Sequence, residues 1–438
     1  MMELPTGWEW ATIGDVGEIG LGRQRAPKWH NGPNMRPYLR VANVFEDRID
    51  LSDVKEMDFS QDDYERFKLE PGDILLNEGQ SPEWVGRPAM YRGELPGACF
   101  TNSLIRFRPH EGVVGEFALA VFRHLLHSRR FMREARITTN IAHLSSTRFA
   151  SVEFPLPPTA EQERIVAAVE EHLSRVGAAR ASLALAQQRV DRLVASSRAT
   201  VFQRPWRRRP LGSVAETQLG KMLSEKSRTG VGSTPYLRNR NVRWGVVDMT
   251  HVAEMDFSAA EIAKYRLEEG DILICEGGAG VGRTATWRGE LRLCCYQKAL
   301  HRVRVGDELL PEFFVEYMRF LVESRRLERS LSGVAIGHLP QEDLRSLPIP
   351  VPSLAEQRQA VEEISLQESL ASSVAATVRA SGRRSTSLGR SILAAACSGQ
   401  LVPQDPADEP ASLLLARIIR TDRMVATPRR RAKKATAS

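Results

Sequence analysis

The sequence contains one unit twice, with matching blocks about 198 residues apart. Residues 37–40 (PYLR) recur at 235–238, residues 56–60 (EMDFS) at 254–258, and residues 72–75 (GDIL) at 270–273. Further matches continue at offsets of 196 and 195 residues, as far as His143 and His338. This period is far longer than that of a solenoid and predicts a tandem duplication of a globular domain of about 150 residues followed by a helix.

Each copy ends in a segment with the pattern of a long helix. After the prolines of residues 156–158 and 350–352, Thr159 precedes Gln162 and Ser353 precedes Glu356 by three residues, the spacing of a capping box. A helix from Thr159 to about residue 201 would be roughly 65 Å long. Apolar residues three or four apart predict that the two helices pack together as an antiparallel coiled coil. The predicted contact residues are Ile165, Val169, Leu173, Val176, Leu183, Val190 and Leu193 in the first helix and Val361, Ile364, Val374 and Val378 in the second.

The globular parts are predicted to be mixed α/β. Short β-rich runs alternate with turn residues, and a helix is expected at 116–135 and again at 312–331. The predicted organisation is a first recognition domain (1–158), a central helix (159–203), a second recognition domain (204–352), a distal helix (353–400) and a C-terminal segment (401–438) with a basic, disordered tail. Corresponding loops differ more than the framework, as expected if the two copies recognise different targets.

Composition indicates a soluble protein of two or three domains. Hydrophobic residues make up 42% and charged residues 26% of the chain, and no apolar run is long enough to span a membrane. Without a signal-peptide pattern we expect a cytoplasmic location. The five cysteines lack zinc-site spacing. A formal net charge of +7, part of it in the run 428–434, is compatible with a nucleic-acid partner without establishing one.

The sequence offers no convincing catalytic constellation. Residues 277–282 are glycine-rich but lack the spacing of a phosphate-binding loop, so a turn is the better interpretation. His143 and His338 each stand alone and indicate a structural hydrogen bond rather than catalysis or metal binding. Asp73 with Glu78 resembles part of a nuclease site, but the lysine expected after such a pair is missing. We therefore interpret these carboxylates as turn residues and predict no catalytic or metal site.

Basic and amide side chains recur at matching loop positions of the two copies. Arginine and asparagine can contact guanine and adenine edges with two hydrogen bonds, while lysine mostly contacts phosphate. The DNA-binding candidates are Arg23, Arg25, Arg40, Asn43, Arg87, Arg106 and Asn140 in the first copy, and Lys221, Arg238, Asn239, Arg240, Asn241, Arg283 and Lys298 in the second.

Several of these motifs together resemble the DNA specificity subunit of type I restriction-modification enzymes. They are residues 4–10 (LPTGWEW), residues 37–44 (PYLRVANV), the two GDIL turns, the proline-flagged helix starts and residues 391–404 (SILAAACSGQLVPQ). The resemblance covers the chain to about Arg420 and includes the duplication. The end of the first helix, residues 201–206, departs from the family pattern and matches it less well than the end of the second.

The resemblance implies a non-catalytic subunit with two target-recognition domains, each reading one half of an interrupted, asymmetric target in double-stranded DNA. It implies that the long helices set the spacing and dock two methyltransferase subunits, which carry S-adenosylmethionine, and through them restriction subunits that use ATP and Mg. No cofactor is expected on this chain, which lacks a Walker motif and an adenine-methylation motif. Half-sites about one turn of B-DNA apart, roughly 34 Å, could be spanned by helices of the predicted length.

Other interpretations remain at this point. A self-contained nuclease or methyltransferase would act without partners, and the missing motifs argue against it. A coiled-coil scaffold, or an inactive specificity allele, would keep the fold without active target recognition. Salt-dependent, sequence-selective DNA binding would separate these from the first interpretation.

Overall fold

The computed structural model describes residues 3–138, 140–222, 233–330 and 337–432, with residues 279, 329–330 and 422–432 described by backbone alone. The chain divides into two compact units. Unit 1 comprises Met1–Ser182 and Ser381–Ser438, and unit 2 comprises Leu183–Ala380. Each unit thus contains part of both long helices. In the described parts of the chain, no helix is both long enough and apolar enough to cross a lipid bilayer.

In the described residues, unit 1 contains the strands β1 to β14, which form five sheets. The elements in chain order are β1 (Glu9–Thr12), α1 (Ile13–Val16), β2 (Gly17–Leu21), β3 (Met35–Leu39), β4 (Val44–Phe45), β5 (Arg48–Ile49), β6 (Lys55–Asp58), α2 (Gln61–Phe67), β7 (Ile74–Asn77), β8 (Gly79–Gln80), β9 (Pro88–Met90), β10 (Cys99–Phe100), β11 (Leu104–Pro109), α3 (Gly115–His127), α4 (Arg130–Glu134), β12 (Arg136–Thr138), β13 (Ile141–His143), α5 (Ser146–Ala150), β14 (Glu153–Leu156) and the start of α6 (Thr159–Phe202).

Unit 2 repeats most of this order. Its elements are β15 (Arg208–Pro210), β16 (Ala215–Leu219), β17 (Ser233–Leu237), β18 (Ala253–Asp256), α7 (Ala259–Tyr265), β19 (Ile272–Cys275), β20 (Thr284–Thr286), β21 (Cys295–Tyr296), β22 (Leu300–Val305), α8 (Pro311–Glu323), α9 (Arg326–Ser330), α10 (Gln341–Ser346), β23 (Pro348–Pro350) and the start of α11 (Leu354–Cys397). The C-terminal helix α12 (Ala411–Ala432) belongs to unit 1.

The sheets confirm the mixed α/β duplication. Unit 1 has a four-stranded antiparallel sheet in the order β2-β11-β7-β9, a three-stranded sheet β10-β3-β6 and the pair β1-β14. Unit 2 has the same sheets in β16-β22-β19-β20, β21-β17-β18 and β15-β23. The register is also conserved between the copies, since Phe107 pairs with Ile74 in unit 1 and Val303 with Ile272 in unit 2.

The main core of each unit lies between the four-stranded sheet and the helix that follows it. In unit 1, the rings of Phe107 on β11 and Phe122 on α3 meet edge to face with centroids 5.0 Å apart. In unit 2, Phe313 and Phe320 on α8 are buried and pack around Phe202 at the end of α6. Burying one such side chain stabilises the fold by about 1.5–3 kcal/mol. The rings thus hold α3 to the sheet in unit 1 and the end of α6 to α8 in unit 2.

Within each unit the two long helices run antiparallel. In unit 1, Leu173 lies beside Gly389 and Arg180 donates to the carbonyl of Ser385 at 3.3 Å. In unit 2, Arg198 pairs with Glu368 and Arg204 with Glu363. In both units the residue numbers rise on α6 as they fall on α11, which is the predicted direction.

The predicted packing stripe changes at two positions. Of its members, Ile165, Val169, Val176 and Ile364 are buried, and Leu173, Leu183, Val190, Val361 and Val378 are partly buried. Leu193 and Val374 are instead exposed, at 56% and 46%, and Ala375 takes the buried position beside Val374. The helical period of 3.6 residues explains this, because a stripe with a strict 3.5-residue spacing drifts around a straight helix.

The first helix start is not a capping box. Thr159 Oγ1 donates to the carbonyl of Gly112 at 2.9 Å. The Gln162 side chain accepts from the Val114 N–H and donates to the carbonyl of Pro157. In the second helix start the capping box forms, since the Ser353 N–H donates to Glu356 Oε2 at 2.9 Å and the Glu356 N–H to Ser353 Oγ at 3.4 Å. Glu161, the residue equivalent to Glu356, instead accepts from Trp8 Nε1 at 3.0 Å, so the reciprocal bonds of a capping box do not form at the first helix start.

The helices predicted at 116–135 and 312–331 are each broken in two. Arg129 and Arg325 have φ angles of 58° and 53°, in the left-handed region, and separate α3 from α4 and α8 from α9. The break is a local backbone feature that the apolar pattern across it does not reveal.

The C-terminal segment contains a helix that the sequence did not predict. Ala411, Leu414 and Ile418 on α12 are buried in the main core of unit 1. Their spacing of three and four residues is that of an amphipathic helix, which the neighbouring basic run obscured. The basic run 428–434 overlaps the end of α12 and then continues outside the described residues, so the predicted disorder of this tail stays a prediction.

Candidate nucleic-acid interface

Four segments of unit 1 lie side by side where β2 and β7 end and β11 begins. The Asn102 N–H donates to the carbonyl of Arg23 at 3.0 Å, the Thr101 N–H to that of Leu39 at 3.1 Å, and the Glu78 N–H to that of Ser103 at 3.0 Å. The chain after β13 joins them through the Leu144 N–H. We call the segments 22–25, 40–43, 78–84, 101–103 and 136–144 the loop end of unit 1.

Unit 2 builds the same arrangement with the same bonds. The Lys298 N–H donates to the carbonyl of Lys221 at 2.7 Å, the Gln297 N–H to that of Leu237 at 3.1 Å, and the Glu276 N–H to that of Ala299 at 2.9 Å. The described segments 220–222, 238–241, 276–281, 297–299 and 337–339 form the loop end of unit 2.

Arg23 and Lys221, which are equivalent, hold their loops to the framework. Arg23 is buried, donates to the backbone carbonyl of Asp58 and pairs with Asp63 at 2.9 Å. Lys221 Nζ makes the matching bonds, to the carbonyl of Asp256 at 2.7 Å and to Glu261 at 2.8 Å. Both cations are therefore neutralised within the protein.

Asn43 and Asn241 shape a turn in each copy. Asn43 Oδ1 accepts from the Arg40 N–H at 3.1 Å, and its Nδ2 donates to the carbonyls of Asp50 and Asp53. Asn241 forms the equivalent bonds to the Arg238 N–H and to the carbonyls of Asp248 and His251. Both amides are buried and occupied by backbone groups, which explains their recurrence without a DNA contact.

The arginines that precede the turn asparagines are also held within the protein. Arg40 pairs with Asp53, and Arg238 donates to the carbonyl of His251 at 3.0 Å. Asn239 Nδ2 donates to the carbonyl of Gly277 at 2.9 Å, which ties this turn to the next loop.

The arginines on and near the sheets face inward as well. Arg106 is buried and pairs with Glu18 at 3.1 Å, as its equivalent Arg302 does with Glu216 at 3.0 Å. Arg87 is half-buried over the ring of Phe45, and burial lowers the pKa of its guanidinium. Arg283 donates to the carbonyl of Val242 at 3.3 Å.

Four of the predicted DNA-binding side chains are exposed at the loop ends. They are Arg25 and Asn140 in unit 1 and Arg240 and Lys298 in unit 2. The Arg25 guanidinium lies 5.8 Å from the ring centre of Tyr38, which holds it over the surface of the loop end. Among the described members of the predicted set, these four have exposed side chains that a ligand can reach.

Sequence reasoning missed other exposed positions of the same loops. Met222 in unit 2 is 63% exposed, and Gln24, Ala42 and Asn102 are exposed in unit 1. Aligning the copies gives the pairs Gln24 with Met222, Ala42 with Arg240, and Asn102 with Lys298. The sequence signal for these positions is a mismatch inside a matching block, whereas residue types that recur in both copies identify the framework.

The acidic and histidine side chains of the loop ends form structural pairs. His143 Nδ1 lies 3.3 Å from Glu78 Oε2, and His338 Nδ1 lies 3.5 Å from Glu276 Oε1. Asp73 is buried and accepts two hydrogen bonds from Arg108, at 2.7 and 2.9 Å, an interaction that raises the pKa of Arg108. Asp73 is therefore not paired with Glu78 as a nuclease site requires.

The remaining acidic, histidine and cysteine side chains of the described residues do not form a metal site or an activated nucleophile. No group of three or more His, Cys, Asp or Glu side chains in this part of the chain could hold a metal ion. Burial raises the pKa of the Cys99 and Cys294 thiols to about 12, which keeps them protonated near neutral pH. The segment 278–280 is a short 3-10 turn, as the sequence indicated.

Comparisons with known proteins agree with this architecture. Residues 5–178 and 203–366 both match the family model of the type I restriction modification DNA specificity domain. The Escherichia coli K12 type I restriction enzyme EcoKI specificity subunit is 24% identical over 453 aligned residues, covering 93% of this chain and 92% of that protein. The Salmonella potsdam StySPI specificity subunit is 23% identical, with the same coverage.

Solved structures share the fold. A chain from a study of assembly and conformational transition of the type I R-M system superposes with a TM-score of 0.71 at 21% identity, covering 91% of this chain and 100% of that one. The HsdS subunit from Thermoanaerobacter tengcongensis gives a TM-score of 0.55 at 21% identity, with 91% and 98% covered. Since the family model matches most of the chain in two copies, the chain belongs to the family of type I restriction-modification DNA specificity subunits, and its role is non-catalytic, sequence-specific DNA recognition.

Proposed function

We propose that the loop end of each unit reads one half of an interrupted target in double-stranded DNA. The observation that carries this proposal is that the two loop ends have the same internal hydrogen bonds but different exposed residues. A shared framework holds the backbone of each loop in one position, while exposed side chains determine which base edges can be contacted. Because the exposed residues differ between the units, the two halves of the target differ in sequence.

The exposed side chains of the loop ends fit this role chemically. Asn102 and Asn140 can exchange two hydrogen bonds with adenine, and Arg240 with guanine. Lys298 and Arg25 add positive charge for phosphate contacts, which fix the register of the protein on the duplex. The buried arginines contribute indirectly, because they are already paired and keep the loops in place.

The long helices provide surfaces for the partner subunits. Leu185, Leu193, Leu366, Leu370 and Val374 in unit 2 and Leu388 in unit 1 are exposed by about half. Leu366, Leu370 and Val374 are spaced four residues apart and therefore share one face of α11, and an exposed apolar patch is typical of protein interaction sites. We propose that two methyltransferase subunits dock there and recruit the restriction subunits. S-adenosylmethionine, ATP and Mg would then be bound by those partners, and this chain would bind no cofactor.

Methylation sequencing of single DNA molecules from the host tests the proposal. We expect an interrupted, two-part adenine-methylation motif that disappears when the gene for this chain is deleted and the methyltransferase partner is kept. Restoring the wild-type gene should restore the same motif. The motif gives both half-sites directly.

An unchanged methylome after deletion would contradict active target recognition by this chain. It would leave the scaffold or the inactive allele as the function. Adenine methylation or DNA cleavage by the purified chain alone would contradict the non-catalytic role.

A further inference from the structure

A short hairpin forms part of the loop end of unit 1, and its second strand is the middle strand of a three-stranded sheet in the order β12-β13-β8. In it, β12 pairs antiparallel with β13, with Arg136 opposite His143, Ile137 opposite Ala142 and Thr138 opposite Ile141. The hairpin is anchored through Ala142, which pairs with Gln80 on β8. The Leu144 N–H donates to the carbonyl of Glu78 at 2.8 Å. Ala142 and Leu144 are fully buried, so the base of the hairpin has a fixed position.

The two faces of the hairpin differ. Residues opposite each other on paired strands share a face, and neighbours along a strand alternate. Ile137 therefore shares the face of Ala142, but Ala142 is buried whereas the Ile137 side chain on the outer strand is 51% exposed. Ile141 lies on the other face with Thr138, Arg136 and His143, all of which are exposed.

Ile141 is the apolar member of an otherwise polar outward face. It is 49% exposed, and its branched side chain has restricted rotamers, so its position follows from the hairpin backbone. A single exposed apolar residue needs no explanation by itself. Here it lies between hydrogen-bonding side chains, on an element that belongs to the proposed DNA-reading surface.

The chemistry of this face matches the major groove of DNA. That groove is wide enough for a two-stranded β-ribbon, and the C5-methyl group of thymine is the apolar group it presents. Arg136 supplies a positive charge for the phosphates at the groove edge, which favours DNA over an apolar protein partner. His143 is held near Glu78, which fixes the polar side chain at the base of the same face.

We propose that the β12–β13 hairpin enters the major groove of the half-site read by unit 1 and that Ile141 packs against the methyl group of a thymine there. The proposal rests on the proposed function. It concerns unit 1 alone, because the residue equivalent to Ile141 in the second copy, Ile336, lies outside the described residues.

Replacing thymine by deoxyuridine tests this contact, since it removes the methyl group and keeps base pairing. The assembled complex of this chain with its methyltransferase partner is titrated with duplexes that carry the full methylation motif. Each thymine of the two half-sites is replaced in turn. We expect one position in the half-site of unit 1 at which the substitution weakens binding about three- to tenfold, the size of one apolar group transferred from water.

The variants I141A and I137A separate this contact from general effects. I141A should bind the thymine duplex several times more weakly and lose its response to deoxyuridine at that position. I137A, which changes the same residue type on the opposite face, should respond to deoxyuridine as the wild type does. Because residue 141 is half-exposed, its truncation leaves the core of unit 1 intact.

Three results would overturn the inference. They are a unit 1 half-site without thymine, no thymine sensitive to methyl removal, or a sensitivity that I141A retains in full. Failure of the proposed function is a different outcome, because the wild-type complex would then show no preference for the motif over unrelated duplexes.

Discussion

Glu46 lies in the turn between β4 and β5 and connects this turn to α3. Its Oε1 accepts from Arg123 Nε at 3.0 Å and lies 2.9 Å from His127 Nε2. Burial raises the pKa of Glu46, but the hydrogen bonds and charges of His127 and Arg123 outweigh burial and lower the pKa from 4.5 to about 2. A carboxylate with a lowered pKa stabilises the folded state in its ionised form.

We expect the Glu46→Gln variant to lose less stability in acid than the wild type. With a folded pKa below the unfolded one, Glu46 contributes stability above about pH 4.5, and this is lost as the pH falls towards 2. The difference in the free energy of unfolding between the wild type and the variant should change by on the order of 3 kcal/mol over that pH range. Denaturant unfolding of the full chain at several pH values measures it, with the exposed Glu83→Gln as control. If the free energy of unfolding varied with pH in the same way for the wild type and Glu46→Gln, the lowered pKa of Glu46 would be contradicted.

The DNA-binding candidates show that residue type alone does not separate DNA-contacting positions from framework positions. Arg23 and Asn43 recur because they hold the framework, and their partners Asp58, Asp63 and Asp50 are distant or irregularly spaced in sequence, so no local pattern identifies them. A basic residue bound to a carboxylate and one facing solvent look alike in a sequence. Burial separates them, and burial depends on the tertiary fold.

Gln162 and Gln357 connect each long helix to the helix that covers the sheet. Gln162 is fully buried, its Oε1 accepts from the Val114 N–H at 2.8 Å and its Nε2 donates to the carbonyl of Pro157 at 3.0 Å. Gln357 accepts from the Leu310 N–H at 2.8 Å in the same way. Val114 and Leu310 precede α3 and α8, so each glutamine satisfies a backbone donor at a neighbouring helix start.

We expect Gln162→Leu and Gln357→Leu each to destabilise the protein by about 2–4 kcal/mol, because a buried backbone N–H loses its acceptor while the side-chain volume is kept. Gln359→Leu, on the exposed side of α11, should change stability by less than about 0.5 kcal/mol. Urea unfolding followed by circular dichroism compares the three variants. If Gln162→Leu unfolds at the same urea concentration as the control, the side chain does not clamp the helices.

At the level of elements, helices with a strong period were predictable and irregular features were not. Both long helices were expected from their apolar spacing and begin within one residue of the predicted positions. The breaks at Arg129 and Arg325 depend on a single left-handed residue each, and α12 depends on a docking surface that unit 1 creates only when folded. Such features arise from tertiary contacts that a sequence window does not contain.

The whole molecule contains two units, each with its own cores and its own loop end. The duplication kept the residues that hold the loops and changed those at their surfaces. Arg108 with Asp73 and Arg304 with Asp271 form the same bonds, at the same distances, in the two units. If specificity resides in the exposed residues, each half of the target can change without the other.

Exchanging one equivalent pair of residues tests this independence. Asn102→Lys gives unit 1 the residue of unit 2, and Lys298→Asn makes the opposite change. We expect each variant to alter the bases accepted in one half of the methylation motif, a different half for each, because a lost or gained base contact changes discrimination by about 1–3 kcal/mol. Methylation sequencing of cells carrying each variant measures the motif, and Arg175→Ala, on the exposed side of α6, serves as control. If both variants relax the same half, or each relaxes both, the two loop ends do not read DNA separately.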